Sequence, residues 1–202
     1  MKIICIGRNY ADHARELNHP LPEKPIFFLK PDSAILIHNK PFYLPDFMGS
    51  IHYEAELVVR INRLGKNIAP KFAPRYYDAV TLGIDFTARD LQNECREKGL
   101  PWEIAKAFDG SAALGPFRDI PSRGLQNILF RLDVNGRTVQ EGNTAHMIFP
   151  VNELIAYVSK FMTLRTGDLF FTGTPAGVGP VNRNDRLEAY LEGEKLLDFF
   201  IR

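Results

Sequence analysis

Apolar residues along this chain fall in short runs that alternate with polar positions or are cut by proline, glycine and aspartate, a pattern of strands more than of long helices. Lys2 to Ile6 reads as a first strand, and a helix from about Tyr10 to Leu17 follows Gly7-Arg8-Asn9. Pro20, Pro22 and Pro25 then stiffen an exposed connector. Phe27 to Lys30, Ala34 to Ile37 and Pro41 to Leu44 read as short strands between proline and aspartate turns. His52 to about Ile61 forms one longer strand, and Tyr76 to Phe86 another. Thr87 to Cys95 reads as the start of a helix.

The second half repeats the pattern. Leu129 to Val134 and Arg137 to Gln140 flank Asn135-Gly136, the preferred pair for a type I′ hairpin turn. Pro150 opens a helix to about Phe161, with Glu153 in its first turn. Asp168 to Thr172 is a strand, and Leu187 to Leu191 pairs with Leu196 to Ile201 across Glu192-Gly193-Glu194. Many short strands, few helices and regular turns predict a β-rich α+β fold with a rolled or barrel-like sheet, in one domain spanning 1–202.

Two carboxylates interrupt the longer strand, Glu54 and Glu56. Side chains two apart on a strand point the same way, and like charges at that range are tolerated mainly around a cation or a shared proton. Asp85 ends the next apolar run, where a strand gives way to a helix. Three oxygen ligands without a thiolate favour Mg²⁺, Mn²⁺ or Ca²⁺ over zinc or copper, and would leave positions open for a substrate. Two readings stand on the residues alone, a solvated acidic face, which is the commoner arrangement, and a metal site. His52 shares the face of Glu54 and is either a further ligand or a surface group.

Composition narrows the class. The 202 residues carry a net charge of +1, so neither a basic nucleic-acid surface nor an acidic tail is present. No run approaches the ~20 apolar residues of a membrane span, and the first residues lack a signal-peptide pattern. Cys5 and Cys95 are too few for a disulfide framework or a thiolate metal site, so a reducing, cytoplasmic setting is expected.

Thr172-Gly-Thr-Pro-Ala-Gly-Val-Gly-Pro180 places three glycines after an apolar strand, which lets backbone approach a ligand closely. It fails the phosphate-loop spacing and lacks that loop's lysine, so it is either a ligand-contacting loop, with Thr174 the best donor, or a turn-rich connector. Lys106 sits in an apolar stretch, where it either lays its stem on the core or stabilises an oxyanion. Arg89 and Gln92 share a face beside Asp85. His13 and Glu16 stand three apart on the first helix, as a surface ion pair or as a carboxylate orienting an imidazole.

Taken together these segments resemble the fumarylacetoacetate hydrolase family, and in particular its short acylpyruvate hydrolase/oxaloacetate decarboxylase-like branch. The likeness rests on Gly7-Arg-Asn-Tyr-Ala-Asp-His13 with Glu16, Phe28-Leu-Lys-Pro31, Glu54-Ala-Glu56, Asp85-Phe-Thr-Ala-Arg-Asp-Leu-Gln92, Gly99-Leu-Pro-Trp102, Ala105-Lys106, Gln140-Glu-Gly142, Met147-Ile-Phe149 and Thr172 to Gly179. It implies the mixed β-roll fold of that family's C-terminal domain and a Mg²⁺ or Mn²⁺ enzyme, usually a homodimer; by contrast with mitochondrial members, no leader is expected here. By the resemblance, Glu54, Glu56 and Asp85 are the metal ligands and Lys106 steadies an enolate. Lys30, Arg89, Gln92 and Thr174 line the substrate's carboxylate end. His13 and Glu16 activate water from a mobile lid and connector over residues 9–25, and His52 is not a ligand.

The implied reaction is hydrolysis of the C–C bond of acylpyruvates through a pyruvate enolate, with oxaloacetate decarboxylation as a companion. The alternative within enzymes is isomerisation or decarboxylation of unsaturated dicarboxylates from aromatic breakdown. Outside enzymes, the alternative is a non-catalytic metal and carboxylate binder.

Overall fold

The computed structural model describes residues 1–16, 20–46 and 48–202. Along the chain the elements begin with β1 (Ile3–Gly7), α1 (Ala11–Glu16), β2 (Ile26–Lys30), β3 (Ile35–Leu36), β4 (Ile51–Tyr53), β5 (Ala55–Ile61), β6 (Tyr77–Asp85) and β7 (Thr87–Ala88). There follow α2 (Arg89–Lys98), α3 (Glu103–Lys106), β8 (Ala112–Leu114), β9 (Arg118–Asp119), β10 (Leu129–Val134), β11 (Arg137–Asn143) and α4 (Val151–Phe161). The chain closes with β12 (Leu169–Phe171), β13 (Gly179–Pro180), β14 (Arg186–Leu191) and β15 (Glu194–Phe200).

The largest sheet runs β2-β1-β12-β5-β6-β8-β3, with β9 also on β6; β11-β10-β14-β15 and β13-β4-β7 form two smaller ones. Its central strands are buried on both faces, which explains their unbroken apolar runs. Ile4, Ile6, Leu57, Val59 and Phe170 face the main core, shared with α4 and the four-stranded sheet. The alternate residues Ile3, Cys5, Val58, Leu169 and Phe171 face a second, smaller core. The β-rich roll expected from the pattern is therefore the fold found.

The topology sets the candidate site at a corner between two sheets. β12 pairs with β5 and β5 with β6 in the large sheet, while β13 pairs with β4 and β4 with β7 in the small one. Three neighbouring strands thus leave one ladder and join another at the same height. The breaks fall at Glu54, at Phe86 and in the Thr172 to Val178 loop. A bond from the Asp85 N–H to the Glu54 carbonyl (2.8 Å) holds the corner.

Several expectations shift accordingly. The expected single strand His52 to Ile61 is two, because it crosses between sheets at Glu54. The helix expected from Thr87 begins at Arg89, since Thr87 and Ala88 still pair with β4. Pro41 to Leu44 is not a strand: prolines at 41 and 45 confine it to one bridge, Phe42 to Ile201. Ala34 lies in a 3-10 turn ahead of β3. The first helix ends at Glu16 among the described residues; Leu17, where its end was expected, and residues 17–19 of the expected lid lie outside them. The Asn135-Gly136 turn forms as expected, with both φ angles positive. Among the described residues, no helix is long and apolar enough to cross a membrane.

Candidate active site

The sheet corner brings Glu54, Glu56 and Asp85 together. Glu54 sits at the break between β4 and β5, Glu56 enters β5 on the same side, and Asp85 is the last residue of the neighbouring β6. One oxygen from each lies within 4.8 Å of the others, and all three side chains are buried. So close a set of desolvated carboxylates needs compensating charge.

Part of that charge comes from two buried lysines and an arginine. The Lys106 ammonium, carried by α3, donates to Glu54 Oε2 (2.8 Å), Asp85 Oδ2 (2.9 Å) and Thr87 Oγ1 (2.6 Å). Arg89, the first residue of α2, pairs with Glu54 Oε1 (2.5 Å) and donates to Gln92 Oε1 (2.6 Å). Lys30 stands behind Asp85, 2.7 Å from its Oδ1, with its protons shared among the Lys106 carbonyl and the Ser111 carbonyl and hydroxyl. The Lys30 contact is an ion pair without hydrogen-bond alignment, so Asp85 Oδ1 is a buried oxygen lacking a directed donor.

The three acids consequently differ. Burial alone would raise the Glu54 pKa, but Lys106 and Arg89 override it and hold that carboxyl well below the usual range. Glu56 goes the other way: burial, then the charges of Asp85 and Glu54, push it well up, and the Gly173 N–H at 2.7 Å only partly offsets them. The Lys106 ammonium is stabilised despite burial, by Asp85 and Glu54. Three converging oxygens, one without a directed donor and one acid strained by like charge, fit a divalent cation, for which Glu54, Glu56 and Asp85 would be the ligands.

Backbone from the glycine-rich segment closes one side. Gly173 adopts φ +98°, and a Cβ there would meet the Asn9 side chain at 2.7 Å, so glycine is what lets its N–H reach Glu56. Asn9 fastens that approach: its amide donates to the Thr172 carbonyl (2.8 Å) and the Phe149 carbonyl (3.1 Å), and its Oδ1 accepts from the Phe149 N–H (2.8 Å). The buried Gln140 accepts from the Ala55 N–H (2.9 Å) and donates to Thr174 Oγ1 (2.9 Å) and the Pro175 carbonyl (3.0 Å). Thr174 in turn donates to the Ala55 carbonyl (2.9 Å).

His13 reaches the same cleft from α1. Its Nδ1 lies 3.3 Å from Glu16 Oε2, and it is 5% exposed. Both Glu16 oxygens accept from the Gly177 N–H (3.1 and 3.2 Å). Gly177 has φ +96°, and a Cβ would stand 2.1 Å from the Val139 carbonyl, so no other residue fits without moving the loop.

Of the residues singled out from sequence, Glu54, Glu56, Asp85, His13, Arg89, Gln92, Lys106 and Thr174 all line one cleft of about 40 Å³. Glu16 stands behind His13. Lys30 does not line the cleft; it is enclosed beneath Asp85. His52 stays outside the acidic cluster, half-buried, with burial and then Arg89 lowering its pKa. The sequence reading passed over Asn9, Thr87, Ser111 and Gln140. Asn9 and Gln140 sit in the segments that carry the family likeness, but their partners lie far along the chain and leave no local spacing to read. Arg8, Phe28 and Trp102 also line the cleft, the last two as a wall with ring centroids 5.8 Å apart.

Comparison with known proteins agrees with this architecture. The family profile described as Fumarylacetoacetate (FAA) hydrolase C-terminal matches residues 2–197. The chain is 42% identical over 200 residues to the Bos taurus protein named oxaloacetate tautomerase FAHD1, mitochondrial, covering 98% of this chain and 90% of that protein. Among solved structures, fumarylpyruvate hydrolase from Pseudomonas aeruginosa in complex with Mn²⁺ and pyruvate superposes with a TM-score of 0.93 at 38% identity, covering 100% of this chain and 90% of that one. The 2-hydroxyhepta-2,4-diene-1,7-dioate isomerase from Mycobacterium marinum gives 0.86 at 34% identity, covering 99% and 73%. A β-roll with a buried acidic cluster at its sheet corner is the class of molecule this is. The chain belongs to the fumarylacetoacetate hydrolase family.

Proposed function

We propose that the protein is a Mg²⁺- or Mn²⁺-dependent hydrolase that cleaves the C–C bond of acylpyruvates. The observation carrying this reading is the meeting, in one cleft, of the Glu54/Glu56/Asp85 cluster with the His13–Glu16 pair. The Pseudomonas relative with Mn²⁺ and pyruvate supports both the metal and a 2-oxo acid as ligand. A divalent cation held by the three carboxylates would supply Lewis-acid polarisation of the substrate's carboxylate and 2-oxo oxygens.

The remaining steps belong to the chain. Glu16, fixed by the Gly177 N–H, accepts from His13 Nδ1–H and so keeps Nε2 as the base. His13 Nε2 takes a proton from water, and the hydroxide attacks the distal carbonyl carbon. The C–C bond breaks with its electron pair passing to pyruvate C3, and protonation of C3 completes pyruvate beside the carboxylic acid released. The buried Lys106 ammonium favours negative charge on the enolate oxygen. Lys30 acts through Asp85, as a positioning residue. Arg89, Gln92 and Thr174 orient the substrate's carboxylate, α1 and the following connector serve as the lid, and the enzyme works in the cytoplasm as a homodimer.

A second reading has a specific support, the oxaloacetate tautomerase name of the Bos taurus relative. Oxaloacetate shares the 2-oxo acid unit, and its enol–keto exchange or decarboxylation needs the enolate but no attacking water. Metal-stripped protein with and without Mn²⁺ separates these readings when acetylpyruvate and oxaloacetate are followed side by side. His13→Ala is expected to slow acetylpyruvate cleavage by about a hundredfold or more, and oxaloacetate decarboxylation far less. Equal losses would remove the water-activating role, and no metal-dependent cleavage of acetylpyruvate would remove the hydrolase reading.

A further inference from the structure

The Lys106 ammonium carries three protons, and each has a partner: Glu54 Oε2 at 2.8 Å, Asp85 Oδ2 at 2.9 Å and Thr87 Oγ1 at 2.6 Å. A substrate oxygen therefore gains a proton from Lys106 only when one of these bonds gives way. The three acceptors are not equivalent. Glu54 and Asp85 belong to the cluster that fits a divalent cation, and their oxygens, once engaged with one, would attract the ammonium less than they do here. Thr87 Oγ1 is neutral and stands outside that cluster.

Thr87 is built to keep its bond. It is 0% exposed, and its backbone is held against His52 where β7 pairs with β4. Its hydroxyl proton goes to the Asp85 carbonyl (3.3 Å), which leaves the oxygen's lone pairs for Lys106. The main chain of Lys106 is pinned as well, its carbonyl accepting from Lys30 Nζ and from Ser111 Oγ (3.0 Å). What remains free is the lysine stem, whose rotatable bonds let an unanchored ammonium swing. Phe28 limits that swing, its ring centroid 5.2 Å from Nζ, but a ring face attracts a cation without fixing the direction of its protons.

We infer that Thr87 is a positioning residue for the enolate step: its hydroxyl anchors the Lys106 ammonium, so that an N–H freed from Glu54 or Asp85 stays aimed into the cleft. The inference rests on the reading of Lys106 as the cation that meets the enolate.

Near-isosteric variants separate the hydroxyl from the methyl group. Thr87→Val keeps the shape and removes the acceptor, Thr87→Ala removes it with less bulk, and Thr87→Ser retains it. Exchange of the methyl protons of pyruvate for deuterium, in Mg²⁺-loaded protein and heavy water, reads enolate formation without any acylpyruvate cleavage. Thr87→Val and Thr87→Ala are expected to slow this exchange about tenfold to a hundredfold with the pyruvate KM held within about threefold, and Thr87→Ser to keep most of the rate. Mg²⁺ affinity by calorimetry should be unchanged in all three. Metal-free protein gives a second readout, the nuclear magnetic resonance signal of the isotope-labelled Lys106 ammonium. Its protons should exchange with water faster in Thr87→Val than in the wild type or Thr87→Ser.

Pyruvate exchange at the wild-type rate in Thr87→Val, equal losses in Thr87→Val and Thr87→Ser, a rate loss matched by a loss of Mg²⁺ affinity, or an unaltered ammonium signal would each overturn the anchor. Wild-type protein that exchanges no pyruvate protons would overturn the enolate reading and the anchor with it. Exchange that depends on the Thr87 hydroxyl in a protein that cleaves no acetylpyruvate would keep the anchor and overturn the hydrolase reading instead.

Discussion

Lys106 shows how much one side chain carries here. Its ammonium is the shared counter-charge of Glu54 and Asp85, bonded also to Thr87, with almost no contact with water. Replacing it with methionine leaves two buried carboxylates facing one another and removes the cation that would meet a developing enolate. Lys106→Met is expected to lower kcat/KM for acetylpyruvate and for oxaloacetate alike, by about a hundredfold to a thousandfold; rates near wild type would exclude its role. The residue types and spacing of the acidic trio were enough to suggest a cation, because a carboxylate pair on one strand face is a local signal. Lys106 was ambiguous in sequence, since a lysine in an apolar stretch more often reaches water. Thr87, Ser111, Asn9 and Gln140 gave no such signal: each works by a bond whose partner is set only when distant segments meet.

At the scale of the element, the glycine-rich segment is the part whose purpose the sequence left open between ligand loop and connector. It serves chiefly as a scaffold of donors, Gly173 for Glu56 and Gly177 for Glu16, tied down by Gln140 and Asn9. Gly177→Ala forces Cβ against the Val139 carbonyl and strains the backbone, so the loop must move and the N–H leaves Glu16. The expected result is up to about a hundredfold loss of acetylpyruvate cleavage with Mn²⁺ affinity by calorimetry unchanged; a matching loss of metal would show that the two ends of the loop act as one. Strand boundaries were read less well than strand existence. The crossing of β4 into β5 leaves no break in the apolar alternation of His52 to Ile61, because pleat and facing continue through the corner while the partner strands change.

For the whole molecule, the corner is both the reactive centre and a weak point in the fold's electrostatics. Glu56 has a folded-state pKa raised above its ordinary 4.5, so between that value and the raised one the native state binds more protons than the unfolded chain. Stability of metal-stripped protein should therefore fall as pH climbs through that window. Added Mn²⁺, which takes the place of the proton, should stabilise more at the upper end than the lower. Melting curves across pH with and without Mn²⁺ check this. Glu56→Gln should flatten the pH dependence and abolish the metal effect; retention of metal binding at unchanged stoichiometry would take Glu56 out of the ligand set. The rolled sheet was legible as a class from its short runs and turns, yet the order of strands was not, since pairings such as β1 with β12 join the two ends of the chain.

The Gly173 amide has its hydrogen bond with an acid that changes charge, not with a neighbouring strand. Its exchange with deuterated solvent therefore follows the state of the Glu56 carboxylate, slow when that oxygen is ionised and accepting, faster when protonation weakens the bond. A single backbone isotope label at position 173 thus becomes a gauge of the ionisation of Glu56, legible in the resting protein before any substrate is added.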